Sequence, residues 1–330
     1  MDDEFVMRAA IAVERGVVRC DVVSIPPTND GEVLVKTRSA SICGSDLHMV
    51  NTGWAIHAFP AMAGHPGHEA AGEVVFSKSS KFSVGDIVLT TPHIWNSRCF
   101  ADYQAVDDAH VLKLDPSVDL DSVTLAQQLG TVVYAAKRLP KSLEGKTCVV
   151  VGQGSAGLFW DFTLNRLGAE RIISIEPLDW RTKLGHSYGV DESIDVTGDA
   201  AVNAVKDLTN GVGADLVIEA VGSTPTLSQA FHLVRDEGQV VLFGLPESDD
   251  PVPFDYSQMF KSRANVFTVL GSQDEPGLTS YSEASDLISS GAINVEPIIS
   301  HRINISEIDR AFEVAGERTD GAVKVGITFD

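Results

Sequence analysis

The sequence predicts an α/β protein of two domains, one rich in short β-strands and one built on a doubly wound parallel sheet. The chain has 330 residues, more than the roughly 250–300 at which a single hydrophobic core stops growing. Up to about residue 115 it consists of short β-rich runs punctuated by Gly, Pro and Asp. After Thr147, strand-like runs alternate with segments of helical length. That alternation is typical of a parallel sheet covered on both faces.

The strand candidates of the first region are β-rich runs between turn residues. They are Glu32–Thr37, Gly72–Phe76 and Asp86–Thr90. In the second region the candidates are nearly continuous apolar runs, as expected for strands buried on both faces. They are Thr147–Val151, Arg171–Ile175, Ala214–Ile218, Gln239–Phe243 and Asn265–Leu270. Helical patterns follow at Ser280–Ser290 and Ser306–Ala315, with a last strand around Val323–Phe329.

A glycine-rich turn closes the first of these apolar strands and opens a helix. Gly152, Gly154 and Gly157 form a G-x-G-x-x-G pattern, with Ser155 and Ala156 between the last two. Such glycines allow a tight turn, a close approach of a dinucleotide diphosphate and close packing of helix on strand. The diphosphate would bind the backbone N–H groups at the helix amino terminus. An ordinary turn is the alternative, but the position between strand and helix favours a cofactor.

An acidic residue follows the next strand at the position that recognises an adenosine ribose. Glu176 comes directly after the strand that ends at Ile175, where a carboxylate accepts hydrogen bonds from the ribose hydroxyls. Because the same carboxylate would repel a 2′-phosphate, we expect NAD(H) to be preferred. Arg181 could offset that repulsion, which leaves NADP(H) open. A solvated acid at a strand end is the alternative interpretation of Glu176.

The first domain supplies a thiolate, an imidazole and a carboxylate at spacings that could form one zinc site. These are Cys43 in Cys43–His48 and the pair His68 and Glu69 in the following Gly-rich segment. Catalytic zinc takes three protein ligands and leaves a position for water or substrate. A turn with an inert buried cysteine is the alternative.

Composition excludes several other classes of protein. The net charge of −21 argues against nucleic acid as a partner, since that needs a basic surface. No apolar run approaches the roughly 18 residues of a membrane span. The start Met1-Asp2-Asp3-Glu4 is unlike a secretory signal, so we expect a cytoplasmic protein without membrane contact. The four cysteines form no C-x-x-C pair, which argues against a disulfide framework and a four-thiolate zinc site.

With these motifs in this order, the sequence resembles the zinc-dependent alcohol dehydrogenases of the medium-chain dehydrogenase/reductase superfamily. The resemblance also includes Ala214–Gly222 and Asp320–Val325 and covers nearly the whole chain. It implies a GroES-like catalytic domain at residues 1–128 and 273–330, and a Rossmann domain at residues 129–272.

The resemblance also implies roles for individual residues. Cys43 and His68 would be zinc ligands, and Glu69 a direct ligand or one that exchanges with water. Asp46 would orient the ring of His68, although it could instead only cap a helix. Ser45 would accept the substrate's proton and His48 would relay it to solvent, with a turn residue and a strand-end histidine as the alternatives.

The resemblance also implies a third zinc ligand and a residue near the cofactor diphosphate. The third zinc ligand would be Gln127, where relatives commonly have Cys, Asp or Glu. Gln128 is the less favoured register. Because an amide oxygen is neutral, the charge of the site would favour Glu69 on the metal, and a zinc-free site stays open. Lys324 would lie near the cofactor diphosphate.

The segment between Thr91 and Asp102 is too short for the four-cysteine lobe that binds a structural zinc in many relatives. We therefore expect one Zn²⁺ per chain. The shortened segment should open one side of the cleft, with Trp54, Trp95 and Phe100 as candidate pocket walls. Each of them could equally be a core residue.

The function implied is zinc-dependent hydride transfer between a secondary alcohol or polyol, or the matching ketone, and a nicotinamide cofactor. Two alternatives are a zinc-independent reductase of activated C=C bonds and a dinucleotide-binding protein without catalysis. The partner would be a small alcohol or ketone, and the assembly a homodimer or homotetramer.

Overall fold

The structure is a computed structural model that describes residues 6–246, 250–318 and 320–330. The chain divides into two compact units. One consists of Met1–Gly130 and Ser272–Asp330, and the other of Thr131–Gly271.

Strands and helices are numbered here in chain order. The strands are β1 (Val6–Glu14), β2 (Val17–Ser24), β3 (Glu32–Ile42), β4 (Glu69–Ser77), β5 (Ile87–Thr90), β6 (Tyr103–Asp107), β7 (Val111–Lys113), β8 (Thr147–Val151), β9 (Arg171–Ile175), β10 (Glu192–Ile194), β11 (Ala214–Glu219), β12 (Val234–Leu242), β13 (Asn265–Thr268), β14 (Ile299–Asn304) and β15 (Lys324–Thr328). The helices are α1 (Gly44–Thr52), α2 (Leu120–Thr124), α3 (Ala126–Ala136), α4 (Ser155–Arg166), α5 (Asp179–His186), α6 (Gly198–Leu208), α7 (Thr224–Leu233), α8 (Tyr256–Ser262), α9 (Thr279–Ser289) and α10 (Ile308–Glu317).

The first unit is built on a mostly antiparallel sheet with the strand order β14-β15-β3-β4-β5-β7, and β6 also pairs with β3. Strand β3 is central, with β4 on one side and β15 on the other. The registers Ser41↔Glu69 and Val325↔Ile42 therefore bring the carboxyl end of β3 beside the start of β4 and the start of β15. Strands β1 and β2 form a separate antiparallel pair.

The second unit is built on a parallel sheet with the order β10-β9-β8-β11-β12-β13. The chain starts in the middle at β8, winds outward to β10, and returns to β11 before winding to the other edge. This is the doubly wound arrangement, in which ligands bind at the carboxyl ends of the strands where the winding direction reverses. Because helices cover both faces, strands such as β8 are apolar on both, and Val149 and Val150 are fully buried.

The predicted α/β fold class is confirmed. Strands β8 and β9 have the bounds that the sequence predicts, and the other predicted strands overlap β3, β4, β5, β11, β12, β13 and β15. The predicted tail helices correspond to α9 and α10. The sequence analysis missed β1, β2, β6, β7, β10 and β14, of which β1 and β2 have nine and eight residues. Among the described residues, no helix is long and apolar enough to cross a bilayer.

The packing of α4 on the glycine turn gives a test of the fold. A Cβ on Gly157 would lie 1.9 Å from the carbonyl oxygen of Gly152, so Gly157→Ala must displace the helix or the turn. We expect the free energy of unfolding to fall by about 1–3 kcal/mol, the usual cost of overpacking. Chemical denaturation followed by circular dichroism measures this change.

The matched control is Gly316→Ala in α10, which is exposed and where the nearest atom to a new Cβ is 3.8 Å away. That change should raise the free energy of unfolding by about 0.5–1 kcal/mol. A Gly157→Ala variant as stable as the wild type would contradict the packing described for α4.

Candidate metal and cofactor sites

The sheet register of the first unit brings Cys43, His68 and Glu69 together. Cys43 lies just beyond β3 as the N-cap of α1, while His68 precedes β4 and Glu69 begins it. Each offers one ligand atom, and these atoms lie within 4.8 Å of one another. Among the described residues this is the one such group of His, Cys, Asp and Glu side chains. The three donors expected from the sequence are therefore adjacent in space.

Asp46 holds the imidazole of His68 in one orientation. Its Oδ1 lies 2.8 Å from Nδ1 of His68, and its Oδ2 accepts the backbone N–H of Cys43 at 2.8 Å. Both side chains are buried. Burial lowers the pKa of His68, but the charges and hydrogen bonds of Asp46 and Cys43 outweigh it and leave that pKa well above its usual value. With Nδ1 engaged, Nε2 is the nitrogen left for a metal, as in most histidine ligands.

Glu69 is paired with a buried lysine. Nζ of Lys324 lies 2.7 Å from Oε2 and 3.0 Å from Oε1 of Glu69, and the hydroxyl of Ser41 donates to Oε2. Glu69 is 0% exposed and Lys324 is 2% exposed. Burial raises the pKa of Glu69, but Lys324 and His68 bring it below its usual value. Burial likewise lowers the pKa of Lys324, and Glu69 brings it above its usual value. Both groups are charged.

The expectation that Lys324 lies near a cofactor diphosphate stays a prediction, and the structure adds a partner for it in the first unit. Its ammonium is enclosed at the start of β15, where the pairing with β3 places it beside Glu69. This ion pair changes the charge argument for Glu69, because Lys324 already compensates the negative charge of this carboxylate. The site can therefore balance a metal's charge without requiring Glu69 to bind it continuously.

Two consecutive glutamines lie in the first turn of α3. Gln127 is 4% exposed. Nε2 of Gln128 donates to Sγ of Cys43 at 3.5 Å, whereas Oε1 of Gln128 is buried without a hydrogen-bond partner. The structure thus places the less favoured Gln128 next to the thiol, and an amide oxygen without a partner near the metal donors.

The donor set fits zinc. A thiolate, an imidazole nitrogen and a carboxylate or amide oxygen are the usual zinc donors, in a tetrahedral arrangement that leaves room for substrate. The orphaned oxygen of Gln128 is a further neutral donor within the same group. Residues of this chain could therefore hold one Zn²⁺ at this site.

The predicted proton-transfer residues lie on α1. The Ser45 hydroxyl is 3.4 Å from Nε2 of His68, so it reaches the metal side of that ring. His48 packs against Trp54 with ring centroids 5.6 Å apart, and Trp54 packs against Trp95 at 5.5 Å. Trp54 and Trp95 thus form an aromatic surface next to His48.

Phe100 does not belong to that surface, and its prediction as a pocket wall was wrong. It is 0% exposed and packs edge-on against Phe312 in the hydrophobic core. A Cβ on Gly67 would lie 2.6 Å from its ring. The ring of Phe100 therefore packs against Gly67, in the segment before His68.

The glycine turn of the second unit has the geometry of a dinucleotide site. Gly152 has φ of +91°, which a residue with a side chain adopts only under strain. Gly154 is the N-cap of α4, so Ser155 and Ala156 present backbone N–H groups in its first turn. This is the arrangement that the sequence predicts for a diphosphate.

Glu176 and Arg181 both lie against this turn. Oε2 of Glu176 accepts the N–H of Gln153 at 2.9 Å, and Oε1 accepts the N–H of Leu178 at 3.0 Å. A guanidinium nitrogen of Arg181 is 3.7 Å from the Cβ position of Gly154. Arg181 is 8% exposed, so its side chain is buried beside the glycine turn.

The sequence analysis missed Ser41 and the ion-pair partner of Lys324. The period-two alternation of a strand puts Ser41 on the same side of β3 as Cys43, which could have indicated Ser41. Nothing in the sequence indicates the Lys324–Glu69 pair, because 255 positions separate the two residues.

Comparison with known proteins gives consistent matches over most of the chain. Residues 29–116 match the alcohol dehydrogenase GroES-like domain, and residues 157–290 match the zinc-binding dehydrogenase domain. The L-threonine 3-dehydrogenase of Pyrococcus abyssi (strain GE5 / Orsay) is 30% identical over an alignment of 331 positions, which covers 91% of this chain and 92% of that protein.

Two solved structures have the same fold. The alcohol dehydrogenase TADH from Thermus sp. ATN1 is 25% identical with a TM-score of 0.82, covering 98% of this chain and 100% of that one. L-idonate 5-dehydrogenase from Escherichia coli str. K-12 substr. MG1655 is 21% identical with a TM-score of 0.81, covering 98% of each chain.

The buried pair Glu69–Lys324 gives a test of this site's electrostatics. Lys324→Met keeps the length of the side chain but removes its charge, which leaves the Glu69 carboxylate buried without its counter-ion. We expect the free energy of unfolding at pH 7 to fall by about 3–5 kcal/mol. Lys78→Met is the control, because Lys78 pairs with the exposed Asp30 only at 3.9 Å, and it should change stability by less than about 0.5 kcal/mol.

The pH dependence of that loss follows from the two pKa shifts. The depressed pKa of Glu69 gives stability that is present above the usual 4.5 and lost as the pH falls below it. The raised pKa of Lys324 gives stability that is present below the usual 10.5. The difference in the free energy of unfolding between wild type and Lys324→Met should therefore become smaller below about pH 4.5. Urea denaturation at a series of pH values measures this difference. A difference that is the same at acid and neutral pH would contradict a charged pair.

Proposed function

The chain belongs to the zinc-dependent alcohol dehydrogenases of the medium-chain dehydrogenase/reductase superfamily, and we propose that it oxidises a secondary alcohol or polyol to the ketone. The observation that carries the proposal is the convergence of Cys43, His68 and Glu69 with the ring of His68 fixed by Asp46. The enzyme is an oxidoreductase that acts on CH–OH groups with zinc and NAD(P). The secondary alcohol is the finer step, supported by the name of its L-threonine 3-dehydrogenase relatives, since the 3-hydroxyl of threonine is secondary.

Zinc would be held by Cys43 and His68, with Gln127 or the neighbouring Gln128 as the neutral third donor and Glu69 as an alternating one. When bound there, zinc acts as a Lewis acid that lowers the pKa of the alcohol hydroxyl. The chain's own contribution is orientation and charge. Asp46 aims Nε2 of His68, and Lys324 keeps Glu69 ionised within the site.

The proton of the alcohol would leave through Ser45 and His48. The Ser45 hydroxyl can both accept and donate, and it lies beside Nε2 of His68. His48, one helical turn further along α1, would take the proton next, because an imidazole can both accept and donate a proton. Trp54 and Trp95 would limit the access of water next to His48 and form one wall of the substrate pocket.

The dinucleotide would bind at the turn from Gly152 to Gly157, with its diphosphate on the N–H groups of Ser155 and Ala156. Glu176 supports a preference for NAD(H), because its carboxylate would repel a 2′-phosphate. Arg181 lies next to Gly154 and leaves the use of NADP(H) open. The GroES-like domain would comprise residues 1–128 and 273–330 and the Rossmann domain residues 129–272. We further expect the enzyme to act in the cytoplasm.

The two alternative functions receive less support. A zinc-independent reductase of activated C=C bonds has no use for a thiol, an oriented imidazole and a buried carboxylate within 4.8 Å. A binding protein without catalysis would not need Ser45 beside that imidazole.

Activity and metal content test the proposal together. Purified enzyme is assayed with NAD⁺ and NADP⁺ against L-threonine, polyols and short secondary alcohols, with NADH absorbance as the readout. We expect oxidation of a secondary alcohol, loss of activity on chelation and recovery with Zn²⁺. An enzyme without stoichiometric zinc that is insensitive to chelation would contradict the proposal.

Cys43→Ser separates catalysis from cofactor binding. It should lower turnover by about 100-fold or more, as loss of a metal-site contact does, with NADH affinity unchanged. The control is Cys20→Ser in β2, a partly buried cysteine outside the metal donors, which should keep full activity. Loss of NADH binding together with activity would mean that the Cys43 thiol has a structural role.

Assembly as a homodimer or homotetramer is proposed from the edge of the parallel sheet. Among the described strands, β13 pairs only with β12, so it is an edge strand of this sheet. The neighbouring helix α8 exposes Tyr256 at 66% and Phe260 at 70%, and Leu270 is 60% exposed. An open strand edge beside large apolar side chains supports pairing with a second copy of the chain.

Phe260→Asp tests this face. A charge in the middle of the apolar surface should shift the molar mass towards that of the monomer in size-exclusion chromatography with light scattering. The control is Phe76→Asp on β4, where Phe76 is 47% exposed in the other unit, and its molar mass should equal that of the wild type. An unchanged mass for Phe260→Asp would exclude α8 from the interface.

A further inference from the structure

Asp161 is a carboxyl group enclosed in the second unit without a partner. It lies on α4, one turn beyond Gly157, and is 0% exposed. Neither of its carboxyl oxygens has a hydrogen-bond partner, and no ion pair of the described residues includes it. An isolated buried carboxylate is too costly to keep, so this group requires an explanation.

The polar group that faces Asp161 is the side chain of Gln153, within the glycine turn. Gln153 is also 0% exposed, and its Oε1 has no hydrogen-bond partner. Its Nε2 reaches only the carbonyl of Gly152 at 3.5 Å. A Cβ on Gly185 would lie 2.4 Å from Oε1, so α5 closes the other side of this amide and keeps it away from solvent.

A single proton would satisfy all three orphaned atoms. We propose that Asp161 is held as a neutral carboxylic acid that pairs with the Gln153 amide and so positions the dinucleotide turn. In this pair the carboxyl O–H donates to Oε1 of Gln153, and Nε2–H donates to the carboxyl C=O of Asp161. An ionised Asp161 could make only the second bond and would leave Oε1 without a donor.

The electrostatic surroundings support this state. Burial raises the pKa of Asp161 well above its usual value, and the nearby amide of Gln153 lowers it by less. No charged side chain contributes to the shift, so no cation among the described residues favours the ionised form.

The pair matters for the cofactor because Gln153 connects to Glu176. The backbone N–H of Gln153 donates to Oε2 of Glu176, the acid that would bind the ribose. Fixing the Gln153 side chain from inside therefore fixes the backbone that orients this carboxylate. Asp161 is a positioning residue, and this part of the inference rests on the proposed cofactor site.

The experiment combines infrared spectroscopy with NADH titration of the full-length enzyme. The difference spectrum between wild type and Asp161→Asn at neutral pH should contain the C=O stretch of one protonated carboxyl. It requires no cofactor, so its failure is separate from failure of the proposed activity. A carboxylate band in place of the carboxyl stretch would overturn the proposal.

Two variants of similar size test the positioning role. Asp161→Asn can still pair with the Gln153 amide and should bind NADH like the wild type, by fluorescence titration. Asp161→Leu fills the space but leaves Gln153 unpaired, and NADH should bind about tenfold more weakly or worse. The double variant Gln153→Leu/Asp161→Leu should be more stable to urea than Asp161→Leu, because no buried amide then lacks a partner. Wild-type NADH affinity in Asp161→Leu, or no gain in the double variant, would overturn the positioning role.

Discussion

The pairing of β3 with β4 on one side and with β15 on the other determines which charges are buried together in this protein. The two registers place Cys43, Glu69 and Lys324 at the same end of the sheet, and His68 one residue before β4. A shift of either strand by one residue would turn its side chains to the opposite face. The backbone hydrogen bonds of the sheet therefore determine where the metal donors lie. They also place Lys324 beside Glu69 and the imidazole of His68 within the site.

In the proposed metal site, charge balance would allow a neutral amide to serve as the third ligand. With Lys324 against Glu69, the carboxylate is already compensated, and in the proposed site it would bind the metal only when the amide donor is insufficient. Burial makes the pair costly to disrupt, and the Ser41 hydroxyl satisfies a further lone pair of Glu69. In the second unit, a buried carboxyl group is proposed to be neutral instead of paired. Among the described residues, no cation contributes to the pKa shift of Asp161, and protonation removes its charge.

Much of the fold follows from local sequence patterns, but side-chain partners across the fold do not. The apolar runs that become β8 and β9 and the glycines before α4 are local signals, and the donors Cys43 and His68 lie in recognisable segments. Lys324 and Glu69 are far apart in the chain, and only the pairing of β15 with β3 reveals their contact. Phe100 is buried and Trp95 is exposed. The sequence of the short segment that contains both aromatic residues does not indicate which of them is buried. For Gln127 and Gln128, one residue changes the direction of a helical side chain by about 100°, so a small uncertainty in register changes the candidate ligand. An acidic residue in a helix usually indicates the solvent-facing side. Asp161 does not, because α4 is buried on several sides.

The central claim is that one thiolate, from Cys43, binds the metal together with nitrogen and oxygen donors. X-ray absorption at the zinc edge of the zinc-loaded wild-type enzyme measures this donor set directly. The predicted spectrum has a single sulfur at about 2.3 Å and otherwise nitrogen or oxygen at about 2.0–2.2 Å. A shell with two sulfurs, or with none, would contradict the site described here.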